Sequence, residues 1–177
     1  DGTAVIEMAQ ASGLPLVSPE ARNPLAASSC GTGELIVKAL NGGARRLLIG
    51  IGGSATNDGG MGMLRAMGAR FLDAGGTALR GCGADLERVV QAELSGLHPA
   101  LSQAEITVIC DVSNPLLGER GATAIYGPQK GATPAMLERL EAGMRNYAQV
   151  MAATLKRPFA EFSGAGAAGG MGAALGG

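Results

Sequence analysis

A cluster of glycines and polar side chains between residues 50 and 60 is the part of this sequence best suited to chemistry. Five glycines, two hydroxyls, one amide and one carboxylate fall within these eleven residues. An apolar run over residues 47–51 predicts a strand before the turn, and a helical pattern follows it. Several backbone N–H groups of such a strand–turn–helix converge on one point, which suits an anion such as phosphate or carboxylate. The alternative is a tight turn that binds nothing.

The same turn offers candidate ligand-binding groups from both backbone and side chains. Glycines let the backbone approach a ligand that a Cβ would exclude, and hydroxyl and amide groups bond polar ligands. The predicted binding residues are Gly52, Gly53, Ser54, Thr56, Asn57, Gly59 and Gly60. Asp58 supplies a carboxylate, which can hold a metal ion or accept a proton from a substrate hydroxyl. Asp is also a common helix N-cap, and that structural role is the alternative for Asp58.

A second group of polar residues follows the apolar run over residues 105–110. Asp111 stands at the end of this predicted buried strand, and α/β proteins bind ligands at the carboxyl ends of their strands. Asn114 follows shortly after, where it can contact a ligand or form an Asx-turn before Pro115. Asp111 is therefore a catalytic candidate and Asn114 a binding candidate.

The loop over residues 127–131 contributes a lysine and a glutamine. An ammonium group in a loop that contains glycine and proline suits a carboxylate or phosphate. Most lysines are solvated surface charges, and that is the alternative for Lys130. Gln129 can bond a substrate hydroxyl or the loop backbone. Lys130 is the catalytic candidate of this loop, and Gln129 is a binding candidate.

The composition indicates one globular domain without a nucleic-acid or membrane surface. A chain of 177 residues is long enough to bury a core, and an aromatic content of 3% leaves that core to aliphatic residues and methionine. The formal net charge is −1, so no basic field favours nucleic acid or an anionic membrane. No apolar run reaches the length of a membrane span.

The cysteines indicate a reducing compartment. Cys30, Cys82 and Cys110 are far apart, odd in number and without metal-ligand spacing. We therefore expect reduced, mostly buried thiols and a cytoplasmic protein.

Strand and helix patterns alternate along the chain. The apolar patterns predict strands over residues 3–8, 45–51, 69–72 and 105–110. They predict helices over residues 32–40, 61–68, 84–94, 133–155 and 171–175, with Thr32 and Thr133 as N-caps. This alternation is typical of an α/β fold, a layered domain with a mixed or mainly parallel sheet flanked by helices.

Four ordered motifs resemble those of the bacterial type I glycerate kinases. They lie at residues 31–36, 50–60, 110–132 and 164–172, and the resemblance extends over nearly the whole chain. Members of the family are considerably longer, and this sequence lacks their Ala-Pro-Asp-Ser-Phe-Lys-like and Gly-Glu-Gly-Arg-x-Asp-like segments. The resemblance therefore implies a single α/β domain over residues 1–177, inserted in a longer two-domain kinase.

The resemblance also implies an activity. Type I glycerate kinases transfer the γ-phosphoryl group of ATP to D-glycerate and form 2-phosphoglycerate, a reaction for which Mg²⁺ is expected. This chain would supply one wall of a cleft, and a Rossmann-like domain of the same polypeptide would supply the other. Catalytic roles are then expected for Asp58, Asp111 and Lys130, with Asp58 as the Mg²⁺ ligand. The isolated chain is expected to be inactive.

Three other functions are alternatives to the kinase: one binds a ligand without catalysis, and the other two fit the residues less well. A non-catalytic module that binds an anion or a nucleotide is the main alternative, since it needs the same glycine-rich turn. A dinucleotide-binding oxidoreductase is disfavoured because the final glycine of G-x-G-x-x-G is missing after Gly50. A serine hydrolase is disfavoured because Ser54 does not stand in a G-x-S-x-G elbow.

Overall fold

The structure, a computed structural model, describes residues 2–176 of the chain. Its strands are β1 (Thr3–Glu7), β2 (Arg46–Gly50), β3 (Arg70–Leu72), β4 (Gln91–Glu93) and β5 (Glu105–Ile109). Its helices are α1 (Ala9–Ser12), α2 (Cys30–Asn41), α3 (Met61–Ala66), α4 (Ala122–Tyr126), α5 (Pro134–Leu155) and α6 (Ala167–Gly176). Short 3₁₀ turns join several of these elements.

Three parallel strands form the main sheet, in the order β1-β2-β5. The register sets Val5 of β1 beside Leu48 of β2, and Leu48 beside Thr107 of β5. Strands β3 and β4 form a separate antiparallel pair. Because parallel neighbours need long crossover connections, the helices lie between the strands in the chain. The predicted α/β class with a mainly parallel sheet is confirmed.

One face of the main sheet packs into an aliphatic core. Leu47 and Ile49 of β2 belong to this face and are fully buried. Helix α5 adds a buried stripe, formed by Leu140, Met144, Tyr147 and Met151. Tyr147 makes edge-to-face contacts with Phe71 and Phe159, so three of the five aromatic rings meet at one point of the core.

The opposite face of the main sheet is open. Val5 of β1 is 76% exposed and Ile109 of β5 is 55% exposed. The prediction that the strand over residues 105–110 is buried is wrong. Strand β5 is an edge strand that alternates between exposed and half-buried positions, because no described helix covers its outer face.

The predicted helix over residues 84–94 is wrong. The chain forms a 3₁₀ turn at Gly83–Asp85 and then enters β4. The Asp85 carboxylate accepts hydrogen bonds from two N–H groups that precede it, and this fixes a turn. Ala92 of β4 pairs with Phe71 of β3, so strand pairing overrides the helical spacing of the apolar residues.

Helix boundaries agree with the sequence signals in α5 and differ in α2. Thr133 caps α5 as predicted, since its Oγ1 accepts a hydrogen bond from the Met136 N–H at 3.3 Å. Helix α2 begins at Cys30, ahead of the predicted cap Thr32. The Thr32 hydroxyl is buried and lies 2.8 Å from the Ser12 hydroxyl, so it ties α2 to α1 instead of capping a helix.

The thiols and the helices bear on two further expectations. All three cysteines are free, but Cys110 is exposed while Cys30 and Cys82 are half-buried. The expectation of mostly buried thiols is therefore wrong for Cys110, which follows the open edge strand β5. Within residues 2–176, no helix is both long and apolar enough to cross a membrane.

Candidate anion site at the ends of the parallel strands

A pocket of about 120 Å³ opens at the carboxyl ends of β2 and β5. Its walls come from the turn after β2, the segment after β5, the loop over residues 126–130 and the start of α6. Six of the predicted site residues line it: Gly52, Gly53, Ser54, Asp111, Gln129 and Lys130. The fold therefore brings together, at one edge of the sheet, residues that are distant in the sequence.

Lys130 is a buried cation at this pocket. Its side chain is only 2% exposed, which excludes the solvated surface lysine that the sequence left open. Its Nζ donates hydrogen bonds to the Ser54 Oγ at 2.8 Å and to the Thr56 backbone oxygen at 2.6 Å. No carboxylate of the described residues forms an ion pair with it. Because buried charges are normally paired, an anionic ligand in the pocket would complete this site.

Burial changes the acidity of Lys130. It lowers the pKa of the amine from 10.5 to about 8, and the negative charge of Asp58 opposes this shift. At neutral pH, about one unit below this value, roughly nine-tenths of the amines carry a proton. The group therefore remains a cation under ordinary conditions, and a bound anion would stabilise that charge.

Gly131 shapes the loop that turns Lys130 inward. Lys130 ends the 3₁₀ turn Pro128–Lys130, and Gly131 follows with a φ of 87°. A Cβ at Gly131 would lie 2.6 Å from the backbone oxygen of Arg22. Glycine is therefore required by both the left-handed backbone and the close approach, and the loop holds its lysine in one place.

Gly52 and Gly53 border the open side of the pocket. Both are exposed, and a Cβ at Gly52 would meet no atom within 4 Å. Within the described part of the chain, their N–H groups donate to no backbone acceptor. Both donors are thus available to a ligand, and the binding role of this turn stays a prediction.

Asp111 presents an open carboxylate at the same edge. It follows β5 directly, is exposed and lines the pocket. It forms no ion pair with any residue in the range 2–176. Its oxygens are therefore free to act on a ligand or a metal ion.

Asp58 lies outside the pocket and is completely buried. Its Oδ2 accepts hydrogen bonds from the Ser29 N–H and hydroxyl, both at 2.7 Å, and from the Gly62 N–H at 3.3 Å. Its Oδ1 accepts from the Gly60 N–H at 3.1 Å. Burial raises the pKa of Asp58, and these bonds oppose that effect. Gly60 is the N-cap residue of α3, so the N-cap role suggested for Asp58 is wrong. The carboxylate instead joins N–H groups at the start of α3 to Ser29, the residue before α2. Its catalytic role stays a prediction.

The remaining residues of the Gly-rich turn lie behind the pocket. The Asn57 Nδ2 donates to the Thr123 Oγ1 at 3.0 Å. The Asn57 Oδ1 and the Thr56 Oγ1 are buried without a hydrogen-bond partner among the described residues. Gly59 and Gly60 have φ values of 64° and 74° and pack closely against neighbouring side chains. These residues support the turn from inside, and their predicted contact with a ligand stays a prediction.

Asn114 braces the loop after β5. Its Oδ1 accepts a hydrogen bond from the Tyr126 hydroxyl at 2.7 Å, and its Nδ2 donates to the Arg120 backbone oxygen at 2.8 Å. Asn114 does not line the pocket, whereas Tyr126 does. Tyr126 was not among the predicted residues, although its place in the motif that contains Gln129 is a usable signal. Ala168 also lines the pocket; its side chain offers no chemical signal, but its place in the motif at residues 164–172 does.

Comparison with known proteins identifies the family of this fold. The chain matches the model of the glycerate kinase family over residues 1–177. This chain belongs to the glycerate kinase family. The resemblance predicted from the four motifs is thereby confirmed.

Several relatives in the glycerate kinase family align with nearly all of the chain. It is 52% identical over 173 residues to the glycerate kinase of Haemophilus influenzae and 53% identical over 173 residues to the glycerate 2-kinase of Escherichia coli. A crystal structure of glycerate kinase 2 from Salmonella typhimurium LT2 matches with a TM-score of 0.95 and 53% identity. Each match covers 98% of this chain. The chain spans only 45% to 46% of the length of these relatives.

Membership in a kinase family raises the question of which residues suit Mg²⁺. Proteins usually hold Mg²⁺ through one or two carboxylates together with substrate phosphates. Asp111 fits this requirement because its carboxylate is open to the pocket. Asp58 fits less well, since protein donors engage both of its oxygens. Within residues 2–176, no three or more His, Cys, Asp or Glu side chains are grouped to hold a metal ion.

Proposed function

We propose that this chain takes part in the ATP-dependent phosphorylation of D-glycerate to 2-phosphoglycerate and supplies one wall of the active-site cleft. The observation that carries the proposal is the buried Lys130, a cation with no carboxylate partner among the described residues. Membership in the glycerate kinase family and the names of the relatives support the choice of reaction. The free thiols support a cytoplasmic site of action.

In this proposal Lys130 binds the carboxylate of glycerate. The Nζ has fixed neutral acceptors on one side, and an anion in the pocket provides its counter-charge. The Gly52 and Gly53 N–H groups add hydrogen bonds to the same anion, and Gln129, which also lines the pocket, bonds a substrate hydroxyl. Holding a small substrate at several points lowers the entropy cost of reaching the reactive geometry.

The ATP side of the reaction involves Asp111. Its open carboxylate would hold Mg²⁺, and the ion would neutralise the charge that the phosphate oxygens develop during transfer. The pocket of about 120 Å³ suits a small anion and is far below the several hundred Å³ usual for a larger ligand. We therefore assign the nucleotide mainly to the missing Rossmann-like domain of the same polypeptide.

The second candidate function is a module that binds a small anion without catalysis. It is favoured by the same pocket, which needs no second domain to present Lys130 and the two glycine N–H groups. It differs from the first in one respect: it predicts binding without turnover in the full-length protein as well as in the isolated chain.

A coupled ADP-release assay on the full-length protein tests the proposal. Wild-type protein should release ADP with D-glycerate, and Lys130→Met should weaken glycerate binding by roughly 1–3 kcal/mol, the range for a lost charged hydrogen bond. Lys38→Met, which removes an exposed lysine of α2, is the matched control and should leave both KM and kcat unchanged. Absence of ADP release in the wild type would reject the kinase and leave the binding module.

A further inference from the structure

The open face of the main sheet is unusual for parallel strands. The residues on this face are Thr3, Val5 and Glu7 of β1, Arg46, Leu48 and Gly50 of β2, and Glu105, Thr107 and Ile109 of β5. None of these positions is buried. Parallel sheets occur almost only with both faces covered, because their crossover helices and neighbouring layers pack on both sides.

An apolar stripe crosses this face. We call Val5, Leu48, Gly50 and Ile109 the outer stripe. The register pairs Val5 with Leu48, and Gly50 with Ile109, so the stripe runs diagonally over all three strands. Its two ends are 76% and 55% exposed. Gly50 has no side chain, so it leaves a shallow groove beside Ile109. Such an arrangement suits the apolar side of an amphipathic helix.

Charged residues flank the outer stripe. Arg46 of β2 and Glu105 of β5 are paired neighbours at the amino end of the sheet, and both are exposed. Glu7 lies at the carboxyl end beside Gly50 and is also exposed. A partner with polar margins and an apolar centre would match this pattern, with a basic residue opposite Glu7.

The dimensions of the face fit one helix. Three strands about 4.8 Å apart give a width of roughly 10 Å, and five residues of strand give a length of roughly 16 Å. An α-helix has a diameter of about 10 Å and reaches roughly 16 Å in about eleven residues. One helix of ordinary length would therefore cover the outer stripe.

We propose that an amphipathic helix from the part of the polypeptide outside this chain docks on the outer stripe. The proposal rests on the proposed function, in which this chain is one part of a longer kinase. Its support is the length of the relatives: the chain covers 46% of the Salmonella protein, so more than half of that polypeptide is available to supply the helix. The docked helix completes the second layer that parallel strands require.

The docking face adjoins the anion pocket. The last residues of β2 and β5, Gly50 and Ile109, belong to the face, and the next residue of each segment lines the pocket. A helix on the outer stripe would therefore end near the pocket rim. The same packing contact would then hold the second wall of the cleft at a fixed distance from Lys130.

Site-resolved thiol labelling in the full-length protein tests this docking. Val5→Cys is the test variant, and Val90→Cys is the matched control, because Val90 is 56% exposed and follows the 3₁₀ turn before β4, away from the main sheet. Mass spectrometry separates the new thiols from the native cysteines. Under the proposal, Val5→Cys reacts at least roughly tenfold more slowly than Val90→Cys, because a covered thiol reacts only when the contact opens. Equal rates overturn it.

Two further measurements keep the outcomes apart. Protection of Val5→Cys that disappears on dilution would indicate a second copy of the chain as the occupant, and this also overturns the proposal. Protection that persists on dilution supports the helix from the same polypeptide. The labelling rate does not depend on turnover, so a protected Val5→Cys in a protein without ADP release would reject the kinase and retain the docking.

Discussion

Lys130 combines full burial with a positive charge that has no carboxylate in contact within the described structure. The sequence predicts its chemistry, since an ammonium group in a loop with glycine and proline suits an anion. Its burial and its two acceptors could not be predicted, because Ser54 and Thr56 precede it by more than seventy residues. Residue type and neighbouring residues can be used to predict the chemistry of a side chain, whereas a contact between distant segments cannot be predicted from them.

The burial of Lys130 predicts how stability changes with pH. Its pKa is about 8 in the folded protein and 10.5 as an ordinary lysine, so within this window the unfolded chain holds a proton that the folded chain has released. Stability therefore rises with pH across the window, by roughly 3 kcal/mol for this group, and is unaffected below it. Urea unfolding of wild type and Lys130→Met should show this rise as a difference between the two proteins. A difference that stays level with pH contradicts the shift.

For Asp58, residue type alone does not distinguish a catalytic role from a structural one. Its place in the turn allows both a metal ligand and a helix N-cap. In the structure Gly60 is the N-cap residue of α3, and Asp58 binds Ser29, which comes from another segment. Asp58→Asn should lower the free energy of unfolding by roughly 1–3 kcal/mol, because the new amide group points N–H donors at N–H donors. Urea unfolding measures this loss.

A second variant and a second readout complete the test of Asp58. Asp111→Asn changes an exposed carboxylate and should leave the unfolding curve in place. The kcat of folded Asp58→Asn in the full-length protein then decides the chemical role. A fall of roughly two orders of magnitude supports the role predicted from sequence, and near wild-type turnover leaves only a structural role for Asp58.

At the scale of elements, predictions succeeded where the determinants are local. The start of α5 followed from Thr133 and Pro134, a cap and a first helical residue that act within one turn. The prediction of a helix over residues 84–94 was wrong because the conformation of this segment depends on pairing with β3. The prediction that β5 is buried was wrong for a similar reason. An apolar run does not show whether helices cover both faces of the sheet that contains it.

The junction between the Gly-rich turn and α6 offers a test at this scale. Ala168, Gly169 and Gly170 have positive φ values, and a Cβ at Gly169 would lie 2.0 Å from the Thr56 backbone oxygen. Gly169→Ala should therefore lower the free energy of unfolding by roughly 3 kcal/mol or more. Gly76→Ala is the control, because Gly76 has a φ of 76° with no atom within 4 Å, and it should cost only about 1 kcal/mol. Equal losses of unfolding free energy for the two variants, measured by urea unfolding, would contradict the close contact between Gly169 and Thr56.

The described part of the chain presents a pocket at the carboxyl edge of the main sheet and, next to it, an uncovered face of the same sheet. We expect the isolated 177-residue chain to bind a small anion weakly and to show no kinase turnover, because half a cleft cannot hold both reactants in a reactive geometry. The coupled assay with D-glycerate measures turnover, and calorimetry with glycerate measures binding. The Lys130→Met chain is the control for binding. Robust ADP release by the isolated chain would contradict the division of the site between two domains.

The charge of Lys130, which has no carboxylate partner among residues 2–176, also has a consequence for directed evolution. The desolvation that lowers its pKa is a loss of folding free energy, which selection retains only while the anion must be bound. A library of variants screened for heat resistance alone should therefore accumulate apolar residues at position 130. The same library screened for growth on the substrate should keep lysine there. Position 130 would thus report which of the two selections a population has experienced.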